Sequence, residues 1–257
     1  PTPILAYNAL IKNACAIMFT ASHNPPEYLG MKFIPDYAGP ATSEITDEIV
    51  ANLDKDYSAS EKSGVLHKID FAPKYNEHLE TLIDFSKFKN LKTNIIFDGL
   101  YSASIGYFDE ILKNKGIAFE HLHMFHDVNF GGGMPDPKPR FLKELIEKVK
   151  NTPNSIGLAN DGDADRFGVI NENGEYVSPN EIIAILLKHL KSRGFEGAVV
   201  KTVGSSLLID CVAQKLGVEV IETAVGFKHV GEEMRKNKVI IGGEESGGLS
   251  ILGHITE

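Results

Sequence analysis

Asp161, Asp163 and Asp165 alternate along the chain and are followed at once by Arg166. Carboxylates packed that closely repel one another unless a cation sits among them. The run therefore predicts a hard-oxygen claw for Mg2+ or Ca2+. A solvated acidic turn is the plainer alternative. A calcium loop of the EF-hand kind fits at its twelfth position, Glu172, but fails at its sixth, where Arg166 replaces the turn glycine. A strand rather than a helix also precedes it. Phosphatases with an aspartyl nucleophile use Asp-x-Asp too, but they want a hydroxyl or β-branched residue just after, and Arg166 and Phe167 do not fit.

Ser22, with His23 and Lys32, is the second constellation. Pro25 and Pro26 block any continuing helix or ladder, which exposes a hydroxyl at a strand end. The position is poor for a hydrolase nucleophile: there is no Gly-x-Ser-x-Gly elbow, and an adjacent His23 is not expected to point its ring at Ser22. As a phosphoryl carrier Ser22 makes sense. A phosphoserine brings about −1.5 to −2 charges, which the metal claw and the cations of His23, Lys32 and Arg166 could hold. A purely structural turn is the competing reading.

Two further loops carry weaker signals. The glycine-rich stretch 242–248 holds Glu245 and Ser246, acceptors and a donor suited to sugar hydroxyls; a mobile glycine loop reads as well. Gly226, Phe227, Lys228 and His229 open a helix, with Lys201 on the preceding strand. That is an anion site if the lysines are not simply surface charges. His121, His123 and His126 look like a metal cluster at first, but no cysteine or carboxylate near them in sequence completes a site.

These loops need a scaffold, and the chain supplies one by alternating short apolar strands with amphipathic helices. Such alternation predicts α/β layers with a mostly parallel sheet. Strands are expected at 14–19, 93–97, 117–121, 155–159, 198–203, 218–223, 239–241 and 249–255. A hairpin is expected over 167–177, turning at Asn173-Gly174. Helices are expected at 43–53, 73–84, 141–150, 180–191 and 226–236, with two more capped by Ser102 and Ser205 and running to Asn114 and Leu216. Every unusual loop follows a predicted strand, where ligands gather in open α/β sheets. Residues 54–64 read as a linker.

The 257 residues are 42% hydrophobic and 24% charged, an ordinary globular composition. A net charge of −9 argues against a broad nucleic-acid surface. No apolar run is long enough to span a bilayer and no signal peptide is visible, so a cytoplasmic location is expected. Cys15 and Cys211 are expected to be buried, unbridged thiols. A start at Pro1 and a stop at Glu257, just after an apolar run, suggest a piece of a longer protein.

Taken together, the loops resemble those of the α-D-phosphohexomutase family, which includes phosphoglucomutase and phosphomannomutase. Residues 20–25 (Thr-Ala-Ser-His-Asn-Pro) are similar to its phosphoserine loop, 161–166 (Asp-Gly-Asp-Ala-Asp-Arg) to its metal loop, and 243–248 (Gly-Glu-Glu-Ser-Gly-Gly) to its sugar loop. The resemblance implies successive α/β/α three-layer domains with mixed, mostly parallel sheets, divided as 1–64, 65–168 and 169–257. It implies a phosphorylated Ser22, Mg2+ held by Asp161, Asp163, Asp165 and the phosphate on Ser22, and proton transfer or phosphate stabilisation by His23 and Lys32. Arg166 would steady the transferring group. Glu245 and Ser246 would hold the 3- and 4-hydroxyls, and Lys201 with residues 226–229 would meet the substrate's distal side.

The implied activity is exchange of hexose 1-phosphate and hexose 6-phosphate through a hexose 1,6-bisphosphate, with glucose or mannose favoured over amino sugars. A hexose phosphate is the expected partner; nucleic acid and membrane are not, and no oligomeric state is legible. The sequence departs from the family pattern at Leu29-Gly30-Met31 before Lys32, where Asn-Gly is usual. It also lacks the family's Arg/Gly-rich start and its fourth domain. A non-catalytic sugar-phosphate-binding fragment and a Mg2+-dependent phosphatase are the competing readings.

Overall fold

A computed structural model describes residues 1–56 and 64–256. Most of the linker expected at 54–64 lies outside the described residues. The chain forms three α/β/α units in sequence.

The first unit has helix α1 (Thr2–Lys12), an antiparallel pair β1 (Ala16–Thr20) and β2 (Gly30–Ile34), and helix α2 (Ser43–Asn52). Proline in its first turn and a left-handed Asn13 at its end delimit α1. Neither α1 nor β2 was expected. In β2 the exposed Met31 and half-exposed Lys32 carry no buried-strand signature, and the strand forms because it pairs with β1 from Ala16↔Ile34 to Thr20↔Gly30. The hairpin so made brings Lys32 back alongside the Ser22 turn.

The second unit begins with α3 (Ala72–Leu82) and continues through β3 (Asn94–Asp98), α4 (Phe108–Asn114), β4 (Phe119–Leu122), α5 (Lys143–Asn151), β5 (Ser155–Asn160), β6 (Phe167–Ile170) and β7 (Tyr176–Val177). Its sheet runs β4-β3-β5-β6-β7, with β4, β3 and β5 parallel and the β6–β7 hairpin antiparallel. Ile96, Leu142, Leu145, Val149 and Ile170 form its core under α5. The sheet keeps residues 169–177 in this unit, past the boundary expected at 168, because β6 bonds to β5 and β7 to β6. Ser102 does not cap α4: the helix starts only at Phe108, after a chain of turns.

The third unit holds α6 (Pro179–Ser192), β8 (Ala198–Thr202), α7 (Leu207–Leu216), β9 (Val220–Thr223), α8 (Phe227–Lys236), β10 (Val239–Gly243) and β11 (Leu249–Ile251), in the order β11-β10-β8-β9. Ser178 and Glu181 make a reciprocal capping box on α6. The cap of α7 is Ser206, which accepts from Leu208 N, rather than Ser205. Strand β11 stops at Ile251, so residues 252–256 are free to cross to the first unit: Ile255 packs with Ala6, Ile34 and Ala38. Cys15 and Cys211 are free but exposed, against the expected burial, because neither side chain faces a core.

Candidate active site

Three loops leave the carboxyl ends of strands in three different units and converge. The turn after β1 holds Ser22 in a left-handed backbone conformation (φ 54°), with its N–H donating to Thr20 Oγ1 at 2.7 Å. The loop after β5 brings Asp161 beneath it, and Ser22 Oγ donates to Asp161 Oδ2 at 3.3 Å. Gly162 permits this approach. A Cβ there would lie 2.3 Å from Ser22 O, so only glycine fits without moving the serine turn.

The aspartates are held individually. Asp161 Oδ1 accepts from the backbone N–H of Asp165 and Arg166, both at 3.1 Å. Asp163 Oδ2 accepts from Thr2 Oγ1 at 2.9 Å and Thr20 Oγ1 at 3.0 Å. Asp165 Oδ2 accepts from Lys32 Nζ at 3.2 Å. The other oxygens of Asp163 and Asp165 are buried with no hydrogen-bond partner. One oxygen from each of the three carboxylates falls within 4.8 Å of the others, the only such cluster of acidic, histidine or cysteine groups among the described residues. Orphaned hard-oxygen lone pairs in that arrangement fit a divalent cation. Burial, then the charges of Asp165 and Asp163, pushes the Asp161 carboxyl well above the usual carboxylate range. Burial and Asp165 raise Asp163 as well. A cation would reverse both pressures.

His23 departs from expectation. Its Nδ1 lies 3.3 Å from Ser22 Oγ, although the residues are adjacent, because the left-handed turn at Ser22 swings the two side chains together. Arg166 Nη1 lies 2.8 Å from the same Nδ1. Guanidinium can only donate, so Nδ1 is an acceptor and the ring proton sits on Nε2. Burial first, and the Arg166 charge second, lower the His23 pKa and favour this neutral form.

A cleft of about 310 Å³ opens beside these groups, lined by Lys32, Pro40, Asp165, Arg166, Gly226, Phe227, Lys228, Glu244 and Gly248. An isolated antiparallel bridge between Arg166 and Gly248 joins the metal loop to the loop after β10. Of the weaker candidates, Gly226, Phe227 and Lys228 do line the cleft, and His229 sits one residue further into α8. Lys201 does not. It is buried, and its Nζ is engaged by Asp210 at 2.7 Å and Glu222 at 3.1 Å.

Glu245 points away as well: its Oε2 accepts from Thr202 Oγ1 at 2.6 Å. Glu244 takes the place expected for it, nearly buried at the cleft wall, with Ser246 Oγ donating to its Oε1. Local turn geometry decides this. After β10 residues 244–247 form a turn, closed by Gly247 N donating to Glu244 O at 3.2 Å, which folds the Ser246 hydroxyl back onto Glu244 and leaves Glu245 facing Thr202. The turn then closes with Glu244 N donating to Gly248 O.

The chain belongs to the phosphoglucomutase/phosphomannomutase family. Models of that family's α/β/α domains I, II and III match residues 1–60, 73–174 and 178–257. A probable phosphoglucosamine mutase of Methanosphaera stadtmanae is 34% identical over 96% of this chain and 54% of its own length. A phosphoglucomutase/phosphomannomutase of Thermococcus kodakarensis is 30% identical over 97% of this chain and 56% of its own. The crystal structure of a putative phosphomannomutase from Thermus thermophilus superposes with a TM-score of 0.93 at 32% identity, covering 100% of this chain and 59% of that one. The chain thus spans little more than half the length of the curated relatives it matches.

Proposed function

We propose that the protein of which this chain is part is a phosphohexomutase, exchanging hexose 1-phosphate and hexose 6-phosphate through a phosphorylated Ser22. The observation that carries this reading is Ser22 Oγ within 3.3 Å of both Asp161 Oδ2 and His23 Nδ1, in front of three carboxylates and two cations. In transfer, a sugar hydroxyl oxygen bonds to phosphorus as the bond from phosphorus to Ser22 Oγ breaks. One proton passes, in net, from the sugar hydroxyl to Ser22 Oγ. His23 is placed to hold that proton near Oγ. Arg166 and Lys32 are the donors placed to follow charge on the moving group. A Mg2+ bound by Asp161, Asp163 and Asp165 would neutralise the phosphoryl oxygens. The bisphosphate formed then reorients and returns its other phosphate to Ser22. Glu244 and Ser246 are the groups we assign to the sugar hydroxyls, with residues 226–228 facing the far side of the cleft.

Intact-mass analysis after incubation with glucose 1,6-bisphosphate tests the first step: one added phosphate, mapped to Ser22 and absent in Ser22→Ala, is expected. Unmodified protein, or phosphate on another residue, overturns the reading. A coupled assay with the full-length protein then compares glucose, mannose and glucosamine phosphates. The phosphoglucosamine mutases among the relatives give the amino sugar a claim alongside the glucose and mannose expected from the sequence.

A further inference from the structure

The second unit contains a polar assembly that the reaction scheme above does not use. Asp98 ends β3 fully buried, and its Oδ1 accepts from His123 Nδ1 and from Leu100 N, both at 2.9 Å. Its Oδ2 is buried without a partner. Glu144 Oε2, in the first turn of α5, lies 3.3 Å from the other ring nitrogen, His123 Nε2. The other two histidines of that stretch, His121 and His126, stand outside this arrangement. Carboxylates do flank His123, but they come from residues 25 and 21 positions away in the chain.

The backbone around the pair is strained. Leu100, Tyr101 and His123 all adopt left-handed conformations (φ 43°, 58° and 51°), which side-chain-bearing residues avoid unless the surroundings fix them. The surroundings here are specific. Gly99 N donates to Leu122 O at 3.0 Å and Tyr101 N to His123 O at 3.2 Å. A Cβ on Gly99 would meet Met124 Sδ at 2.7 Å. The Tyr101 ring covers His123 at 4.8 Å. Ser102 N then donates to Gly99 O at 2.8 Å, closing the turn.

That turn ends on the metal loop. Ala103 N donates to Gly162 O at 3.0 Å, while Gly162 N donates to Pro135 O at 3.1 Å. Both polar groups of the Gly162 residue are thereby fixed by the second unit. Gly162 lies between Asp161 and Asp163, directly under the serine turn. The 99–103 turn is thus bonded to the residue between two of the carboxylates that face Ser22.

We propose that Asp98 and His123 are positioning residues for the metal loop, holding the strained 99–103 turn so that Ala103 fixes Gly162 and sets the spacing of the three aspartates. This inference rests on the metal reading of Asp161, Asp163 and Asp165. Neither residue touches the cation or the substrate; both act through Gly162.

The test is Mn2+ binding to the 257-residue chain, read by the loss of free Mn2+ signal in electron paramagnetic resonance, with circular dichroism and a melting curve for every variant. Asp98→Ala and His123→Phe, if folded, are expected to weaken Mn2+ binding about tenfold, the low end for residues that orient metal ligands indirectly. His123→Asn keeps an N–H for Asp98 and is expected to retain the wild-type affinity. Wild-type affinity in folded His123→Phe overturns the proposal, as does equal weakening by His123→Asn. Failure of both Asp98→Ala and His123→Phe to fold also overturns it, since the pair would then serve the unit as a whole. No Mn2+ binding by the wild-type chain would instead defeat the metal reading itself, a result separable from all of these.

Discussion

The first unit meets its neighbours at two junctions made of opposite materials. Against the metal loop it presents the Ser22 turn, and the contact is polar throughout: Thr2 and Thr20 on Asp163, Ser22 on Asp161, Lys32 on Asp165. Against α3 and the end of the third unit it presents aromatic and apolar groups. Tyr7 stacks on His78 at 4.3 Å, His78 stacks on His254 at 5.1 Å, and Ile255 joins Ala6, Ile34 and Ala38. The second junction closes by packing and a few uncharged hydrogen bonds, among them Thr256 N to Ala38 O and Asn8 Nδ2 to Phe71 O. The first crowds three carboxylates, two with an orphaned oxygen, and such crowding is unfavourable until a cation arrives. One junction is thus built to hold and the other to respond to what binds it.

The sharpest way to break that contrast is at Gly162. An alanine there must displace Ser22 O, which the added Cβ would approach to 2.3 Å. Gly162→Ala is expected to lower stability by about 3 kcal/mol, the upper range for overpacking, and to abolish Mn2+ binding and Ser22 phosphorylation. Wild-type denaturation midpoints would show that the two loops are not in contact.

Cation dependence comes next. Mg2+ at about a hundred times its dissociation constant stabilises a folded site by roughly 2.7 kcal/mol. Thermal melts should therefore shift upward with Mg2+ in the wild type, and Asp163→Asn should remove most of that shift. An equal shift in the variant would place the cation elsewhere.

The aromatic junction should instead respond to acid. Burial, and then the neighbouring His78, hold His254 down to about 4 from an ordinary value of 6.5. Its Nδ1 shares a hydrogen bond of 3.0 Å with His78 Nε2, and Tyr75 OH lies 3.4 Å from its Nε2. Tyr7, Tyr75 and His78 are the titratable rings in these contacts, and among the described residues no carboxylate is bonded to either histidine. The unfolded chain takes up a proton as pH falls through 6.5, whereas the folded chain resists until about 4. Stability is therefore complete above 6.5 and declines across that window, by about 2 kcal/mol after allowance for partial exposure. Urea midpoints between about pH 4.5 and 7.5 would show the slope, and His254→Phe should flatten it while keeping the ring.

How much of this was legible depended on range along the chain. Residues 161–166 and 20–25 announced themselves because their chemistry is local. Strands β3, β5, β8 and β10 were readable as apolar runs, since the sheets bury them. The His78–His254 pair joins residues 176 apart, and nothing near either position foretells it. Strand β2 exists only through its partner. Glu244 was missed for a different reason: the turn at 244–247, not the residue types, decides which of two adjacent glutamates faces the cleft. Lys201 was misplaced because its neutralising partners, Asp210 and Glu222, come from α7 and β9.

The smallest effect is expected at Arg235. Arg235 of α8 lies over the Tyr37 ring at 4.2 Å and donates to Thr256 Oγ1 at 3.3 Å, closing the third unit onto the loop after β2. Arg235→Met keeps the aliphatic stem and loses the charge, which should lower stability by about 1 kcal/mol. Two residues beyond Ala38, whose carbonyl accepts from Thr256 N at 3.3 Å, Pro40 lines the cleft. If the packed junction is only a brace, Mn2+ affinity should stay at the wild-type value in this variant. A parallel loss of Mn2+ affinity would mean that strain passes through residues 38–40 and Lys32 to Asp165. The two junctions would then act as one coupled element rather than a fixed joint beside a responsive one.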